Sequence, residues 1–211
     1  MTALDLPDEP RWIEAHGIAA DPTSWRRTLG GGGVVGSDRA RLVVAFGEID
    51  PSALRALANE LTEHTFLVTD DLVPALPRPV ERAILHTLPE PDALPDYEGA
   101  TLLEDLAQVP APLADELRGQ RVWAAYVDGA PMSFAYAPWR SPRWFDVSVD
   151  TLAGARQLGL ATIVAAAMIR DERASGREPV WGADESNHAS LRLAKRLGFV
   201  AVDEIWVAPP Q

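Results

Sequence analysis

The chain has 211 residues, 47% of them hydrophobic and 24% charged, an ordinary globular composition with room for one large domain or two small ones. It holds no cysteine, which excludes a disulfide framework and a thiolate metal site, and no apolar run approaches the ~20 residues that span a bilayer. Its formal net charge of −12 argues against a nucleic-acid partner, because an acidic surface repels phosphate backbones. Met1 to Pro10 is acidic and lacks an apolar stretch, so it does not read as a secretory signal; a cytoplasmic protein with no membrane partner is expected. The charge is unevenly spread. Residues 1–150 carry a net −12 and residues 151–200 a net +2. A locally basic stretch suits a small anionic ligand, or is a chance cluster of surface arginines.

In chain order, residues 11–29 read as helical, interrupted by Gly17 and Pro22. Gly30 to Gly33 is a four-glycine run; it lacks a following Gly-Lys-Ser/Thr, so a flexible hairpin tip is the better reading than a phosphate loop. Residues 41–47 read as a buried strand. Asp50-Pro51 then opens a helix as N-cap and first helical residue, with Leu54, Leu57, Ala58 and Leu61 on one apolar face. Residues 65–68 and 82–88 read as strands. The proline-rich, acidic stretch 89–97 is the expected boundary between residues 1–92 and residues 93–211.

After that boundary, residues 102–117 hold helical pieces broken at Pro110 and Pro112. Residues 122–127 form a strand, Asp128-Gly129 a two-residue hairpin turn, and residues 132–136 the returning strand. A third strand covers 144–149. A long helix, 159–174, follows a glycine-containing loop. Then come a strand at 179–183, a helix at 190–197 ended by Gly198, and strand structure to 207. The pattern predicts an α/β (α+β) layer structure with a mixed sheet.

The loop Arg156-Gln157-Leu158-Gly159-Leu160-Ala161 joins a strand to a helix, and its physics is that of an anion site. The first N–H groups of a helix have no internal partner, and the macrodipole adds positive potential there. Gly159 lets the backbone approach a ligand, and Arg156 adds a charged donor. A diphosphate is the natural guest; an ordinary glycine loop entering a helix is the alternative.

Arg156-x-x-Gly159-x-Ala161 resembles the acetyl-CoA loop of the GNAT N-acetyltransferase superfamily. Asn187 and Ser190, followed by Leu197-Gly198-Phe199, resemble the family's second signature, at a normal separation. The resemblance covers residues 97–207. It implies a GNAT-like mixed, mostly antiparallel central sheet flanked by helices. It also implies an acetyl-CoA-dependent N-acyltransferase that moves an acetyl group to a primary amine by direct attack. Acetyl-CoA would be co-substrate and an amine the acceptor, with no metal; a homodimer is left open. On that resemblance the backbone of Gln157, Leu158, Gly159, Leu160, Ala161 and Thr162 would hold the CoA diphosphate. The strand edge at Val149 and Thr151 would pair with the pantetheine arm where it splays from its neighbour near Gly182. Asn187 would bond the pantetheine or acyl end, and Ser190 would lie near the arm. One departure stands out: many members have a tyrosine seven residues after that Asn, which protonates the leaving thiolate, and here the position is Ala194. A non-catalytic acyl-CoA-binding or sensing module of the same fold is therefore the alternative.

Direct attack needs a base for the amine. On the strand 144–149 and its continuation, Asp146, Ser148 and Asp150 share one face, an unusual run of polar residues for a central strand. Asp146 is the deeper candidate base, Asp150 a base or a turn cap, and Glu185 a similar candidate beside Asn187. Trp139, Arg140 and Trp144 line an acceptor pocket or simply pack the sheet edge. His16, His64, His86 and His188 show no metal spacing. Residues 1–92 are expected to be a degenerate GNAT-like half or an accessory subdomain; strand, capped helix, strand, strand resembles the closing half of such a domain.

Overall fold

The computed structural model describes residues 6–211, so the first half of the acidic segment Met1 to Pro10 lies outside the described residues. The chain forms two compact units. The first comprises the chain up to Leu85, Ala183–Asn187 and Val202–Gln211; the second comprises His86–Gly182 and His188–Ala201.

In the first unit a 3-10 turn leads into α1 (Ile13–Ala20). The helical pattern extends in sequence to Leu29, but the helix stops at Ala20. Asp21 leaves helical geometry with ψ 123°, Pro22 follows, and the Asp21 carboxylate accepts from Thr23 N–H at 2.8 Å. That local turn outcompetes helix propagation, and β1 (Trp25–Leu29) begins instead. β2 (Gly32–Ser37) returns through Gly30-Gly31 alone, since Leu29 pairs with Gly32. The other glycines serve packing: a Cβ on Gly32 would stand 2.4 Å from the Phe46 carbonyl oxygen. The expected flexible tip is thus a two-residue turn and a tightly packed strand.

β3 (Leu42–Phe46) runs into α2 (Pro51–Glu60) and β4 (Thr65–Val68), which lies parallel to β3. Asp50 caps α2, its carboxylate accepting from Ser52 N–H at 2.8 Å, as the Asp-Pro pair predicts. Leu54, Leu57, Phe66, Val34 and Val43 form the core. Arg78 is buried among carbonyls: it donates to Ala58 O, to His64 O at 2.9 Å and to Pro209 O at 3.2 Å. Its guanidinium lies 5.3 Å from the Phe66 ring, and burial lowers its pKa.

β5 (Glu81–Thr87) carries the chain on to β6 (Ala100–Leu102), α3 (Ala111–Leu117), β7 (Trp123–Val127) and β8 (Ala130–Tyr136). Only the end of the stretch 102–117 is helical, starting where Pro110 and Pro112 fit a first turn. Asp128 and Gly129 both have positive φ, 51° and 81°, and Val127 pairs with Ala130, which is the two-residue turn expected. β9 (Trp144–Asp146) and β10 (Ser148–Thr151) follow, then α4 (Leu160–Arg173), β11 (Glu178–Asp184), α5 (His188–Arg196) and β12 (Val200–Ala208).

Within the first unit the strand order is β1-β2-β3-β4, with the end of β12 antiparallel to β4. Within the second, β10-β8-β7-β6 is an antiparallel sheet, and β9 pairs in parallel with β11. Ala114 and Leu117 of α3 pack with Ala124, Phe134 and Tyr136, and α4 packs along β7, β8 and β10. The architecture is the mixed, mostly antiparallel α/β arrangement expected. Among the described residues no helix is long and apolar enough to cross a membrane.

Candidate functional site

The strand expected at residues 144–149 is divided at Val147. Before it, β9 pairs with β11, Trp144 opposite Glu178 through Asp146 opposite Val180. After it, β10 pairs with β8, Ser148 opposite Tyr136 through Thr151 opposite Ser133. Backbone parity fixes what faces the gap. Leu152 N–H donates to Met132 O at 2.9 Å, so Ser148, Asp150 and Leu152 direct their backbone groups at β8. Val147, Val149 and Thr151 direct theirs the other way. Val147 N–H meets Val180 O at 2.9 Å. Beyond it β10 is the edge of its sheet, so Val149 and Thr151 present their backbone groups to an open edge. An extended chain with amide groups can add there as a strand would.

β10 leads into the loop before α4. Gln157 and Gly159 both have positive φ, 67° and 82°, and Gly159 is the N-cap of α4 with no side-chain cap bond. A Cβ on Gly159 would meet nothing within 4 Å; the glycine is required by the backbone angle, and the space around it is open. Thr162 N–H turns back to Gly159 O at 3.0 Å, while Leu160 and Ala161 are the first residues of α4, where N–H groups have no partner inside the helix. Arg156 is exposed, with its Nε 3.5 Å from Thr151 O, and Leu158 is exposed as well. The loop fits an anion on chemistry and on space: uncapped helix N–H groups, the positive end of the dipole and a nearby guanidinium.

The three candidate carboxylates sit in different surroundings. Asp146 is half-buried. Burial pushes its pKa up to about 7, while hydrogen bonds from Val147 N–H and the Ser148 hydroxyl pull the other way. Asp150 accepts from the Tyr136 hydroxyl at 3.2 Å, and Glu116 of α3 lies 3.4 Å from the same hydroxyl. Burial, reinforced by those carboxylates, raises the Tyr136 pKa far above its usual value, so the phenol remains a donor. Glu185, in the first unit, is gripped by both ends of the Arg82 guanidinium, which also reaches Glu204 at 3.1 Å. The Arg82 hydrogen bonds hold Glu185 below the usual carboxylate range.

Arg140 is fully engaged: Nε donates to Glu172 at 3.1 Å, Nη2 also donates to Glu172, and Nη1 donates to Ala137 O at 2.7 Å. Trp144 is buried with the Arg143 guanidinium 4.4 Å from its ring, and Trp139 is half-buried. Ser190 accepts from Trp181 Nε1 at 2.9 Å, and Trp181 packs edge-on to Phe199 at 5.4 Å. Asn187 N–H donates to Asp184 O at 2.8 Å at the turn before α5. Ala194 is fully buried and brings no proton donor. Sequence reasoning missed Tyr136, Glu116 and Glu172. Tyr136 had a signal only in closing the expected strand 132–136, since its place beside Ser148 comes from the β8–β10 register; Glu116 and Glu172 had none, as their partners lie 20 and 32 residues away. Among the described residues no group of three or more His, Asp or Glu side chains is placed to hold a metal ion.

A strand edge that opens beside an uncapped helix N-terminus has the chemistry to suit an elongated ligand with an anionic middle. Comparison with known proteins shows what the chain is similar to. Residues 124–207 match the family model for GNAT acetyltransferase. Similar solved structures include a GNAT-family protein from Novosphingobium aromaticivorans, 20% identical, with a TM-score of 0.72 over 95% of this chain and 96% of that one. A GCN5-related N-acetyltransferase from Kribbella flavida is 15% identical, with a TM-score of 0.67 over 95% and 94%. A tandem GNAT protein from the clavulanic acid biosynthesis pathway is 17% identical, with a TM-score of 0.54 over 100% and 97%. Comparison with curated protein sequences finds no match. The chain therefore has the GNAT fold, and residues 124–207 resemble the GNAT acetyltransferase family.

Proposed function

We propose that this protein is an acetyl-CoA-dependent N-acetyltransferase whose acceptor is a primary amine of a small molecule or peptide. The observation that carries the reading is the open edge at Val149 and Thr151 running into the uncapped N-terminus of α4. The amide-bearing arm of acetyl-CoA would lie along that edge. Its diphosphate would sit on the backbone of residues 157–162, with Arg156 beside it and with Asn187 and Ser190 as further contacts. The second signature and the matched family model support the same donor.

The amine must lose a proton to attack the thioester carbonyl. Asp146 is the group suited to take it, because a carboxylate titrating near 7 combines a usable ionised fraction with real basicity at neutral pH. Asp150, bonded to Tyr136, helps shape the acceptor face. Glu185, neutralised by Arg82, is a weaker base. The carbon–sulfur bond then breaks and the acetyl group passes to nitrogen. The thiol leaves with a pKa of about 8.5 in the cysteine case, so it can depart without a tyrosine at position 194. Trp139 and Trp144 border the acceptor side. Residues 93–211 would be the acetyltransferase domain and residues 1–92 an accessory GNAT-like half, a reading supported by the full-length likeness to a tandem GNAT protein. A cytoplasmic location belongs to the same proposal.

Ala194 favours one rival, a module that binds acyl-CoA without turnover. Calorimetric titration of acetyl-CoA, followed by a thiol-release assay with a panel of amines, separates the two. Micromolar binding with turnover supports the enzyme, binding without turnover the sensor, and no binding removes both.

A further inference from the structure

Arg140 and Glu172 form an ion pair whose carboxylate is buried on α4. A carboxylate in that position needs a partner, yet such a pair rarely outperforms well-packed apolar residues in stability. Its geometry does something else. Arg140 follows Trp139, and Trp139 O accepts from Asp146 N–H at 2.9 Å. Arg140 itself bridges Phe145, the residue before Asp146. Between them, Ser141 N–H donates to Trp144 O at 2.9 Å, and Trp144 N–H donates to the buried Ser141 hydroxyl at 2.9 Å. Residues 139–146 are thus a closed hairpin, fastened to α4 through a two-point guanidinium fork and ending in the Asp146 carboxyl.

We propose that the Arg140–Glu172 pair is a positioning device that fixes the Asp146 carboxylate relative to α4, the helix whose first turn is the proposed donor site. The inference rests on reading Asp146 as the base. It gives Arg140 a role other than acceptor contact: with Nε, Nη1 and Nη2 all engaged inside the protein, its fork sets geometry. The β9–β11 ladder already holds one arm of the hairpin; the fork fixes the orientation of the Arg140 arm on α4, which a single-point ammonium would do less well.

The test is Arg140→Lys, which keeps the charge and loses the fork. Carboxyl NMR would follow the Asp146 titration, calorimetry the binding of acetyl-CoA, and steady-state kinetics any amine the wild type acetylates. The expected result is an Asp146 midpoint displaced by about half a pH unit or more. With it should come a kcat reduced about tenfold and acetyl-CoA affinity within about twofold of wild type. An unmoved midpoint in folded Arg140→Lys overturns the proposal. Should that variant not fold, the double variant Arg140→Met with Glu172→Met fills the site with apolar volume. Folded with a displaced midpoint it supports positioning; folded with the wild-type midpoint it overturns it. Asp146→Asn is read separately: full turnover in that variant removes the base reading, and with it the catalytic purpose of the pair.

Discussion

The two units each contain the same local plan, a strand, a helix and a strand parallel to the first, and they differ at the helix entrance. In the first, β3 and β4 pair without interruption from Leu42 opposite Thr65 to Val44 opposite Leu67, and the Asp50 carboxylate occupies the N-terminus of α2. In the second, the first strand divides at Val147, and α4 begins at Gly159 with no side-chain cap. One plan stabilises its own helix with an internal anion, while the other leaves the same partial charge exposed beside a strand edge. A topology therefore does not make a binding site by itself; the residue at the helix entrance decides whether the backbone donors are spent inside the protein or kept for a ligand.

The largest effect that would break this comparison belongs at the entrance of α4. Ala161→Glu is expected to weaken acetyl-CoA binding at least about a hundredfold by calorimetry, because it sets a negative charge among the donors while favouring the helix dipole. Gly159→Glu should do the same, with added backbone strain from a φ of +82°. Retained binding in folded Ala161→Glu would leave the two entrances equivalent.

Asp146→Asn comes next. It is expected to lower kcat/KM about 10²- to 10⁴-fold and to remove the rise in rate expected of the wild type as pH passes about 7. The same variant should be the more stable protein at high pH. The native carboxyl titrates near 7 against an ordinary 3.8, so between those values the folded state keeps a proton that the unfolded state has released. Stability then falls as pH rises across the interval, and the full penalty stands above 7. Melting curves of wild type and Asp146→Asn that stay parallel from pH 4 to 8 would contradict the assignment.

In the first unit, Asp50→Ala is expected to lower the melting temperature by about 2–4 °C and to leave acetyl-CoA affinity unchanged, since that entrance serves its own helix. The smallest effect is expected for Glu185→Gln: Arg82 keeps Glu204 as a partner, and kcat should remain within about twofold of wild type. A large loss of kcat there would move the base from Asp146 to Glu185.

What was legible in the sequence was local. The Asp50-Pro51 cap, the Asp128-Gly129 turn and the glycine loop before α4 each state their conformation within a few residues. The early end of α1 was legible in principle, for Asp21-Pro22-Thr23 is a turn signal that the helical pattern on either side obscured. The division of the strand at Val147 was not, because it depends on which neighbour each half pairs with. The engagement of Arg140 by Glu172 and of Arg82 by Glu185 depends on partners 32 and 103 residues distant. An exposed-looking arginine in a sequence carries no mark of the carboxylate it will meet.

The break at Val147 has a mechanical corollary. Asp146 and Thr151 lie on two short strands joined by the single residue Val147, so their separation is bounded by strand rise, ~3.3 Å per residue. That run is a ruler with the proposed donor edge marked at one end and the Asp146 carboxylate at the other. Deleting Val149 would shorten it by one division and also turn every later side chain and amide to the opposite side. Substitutions along this ruler are tolerable in principle; a change in its length is not.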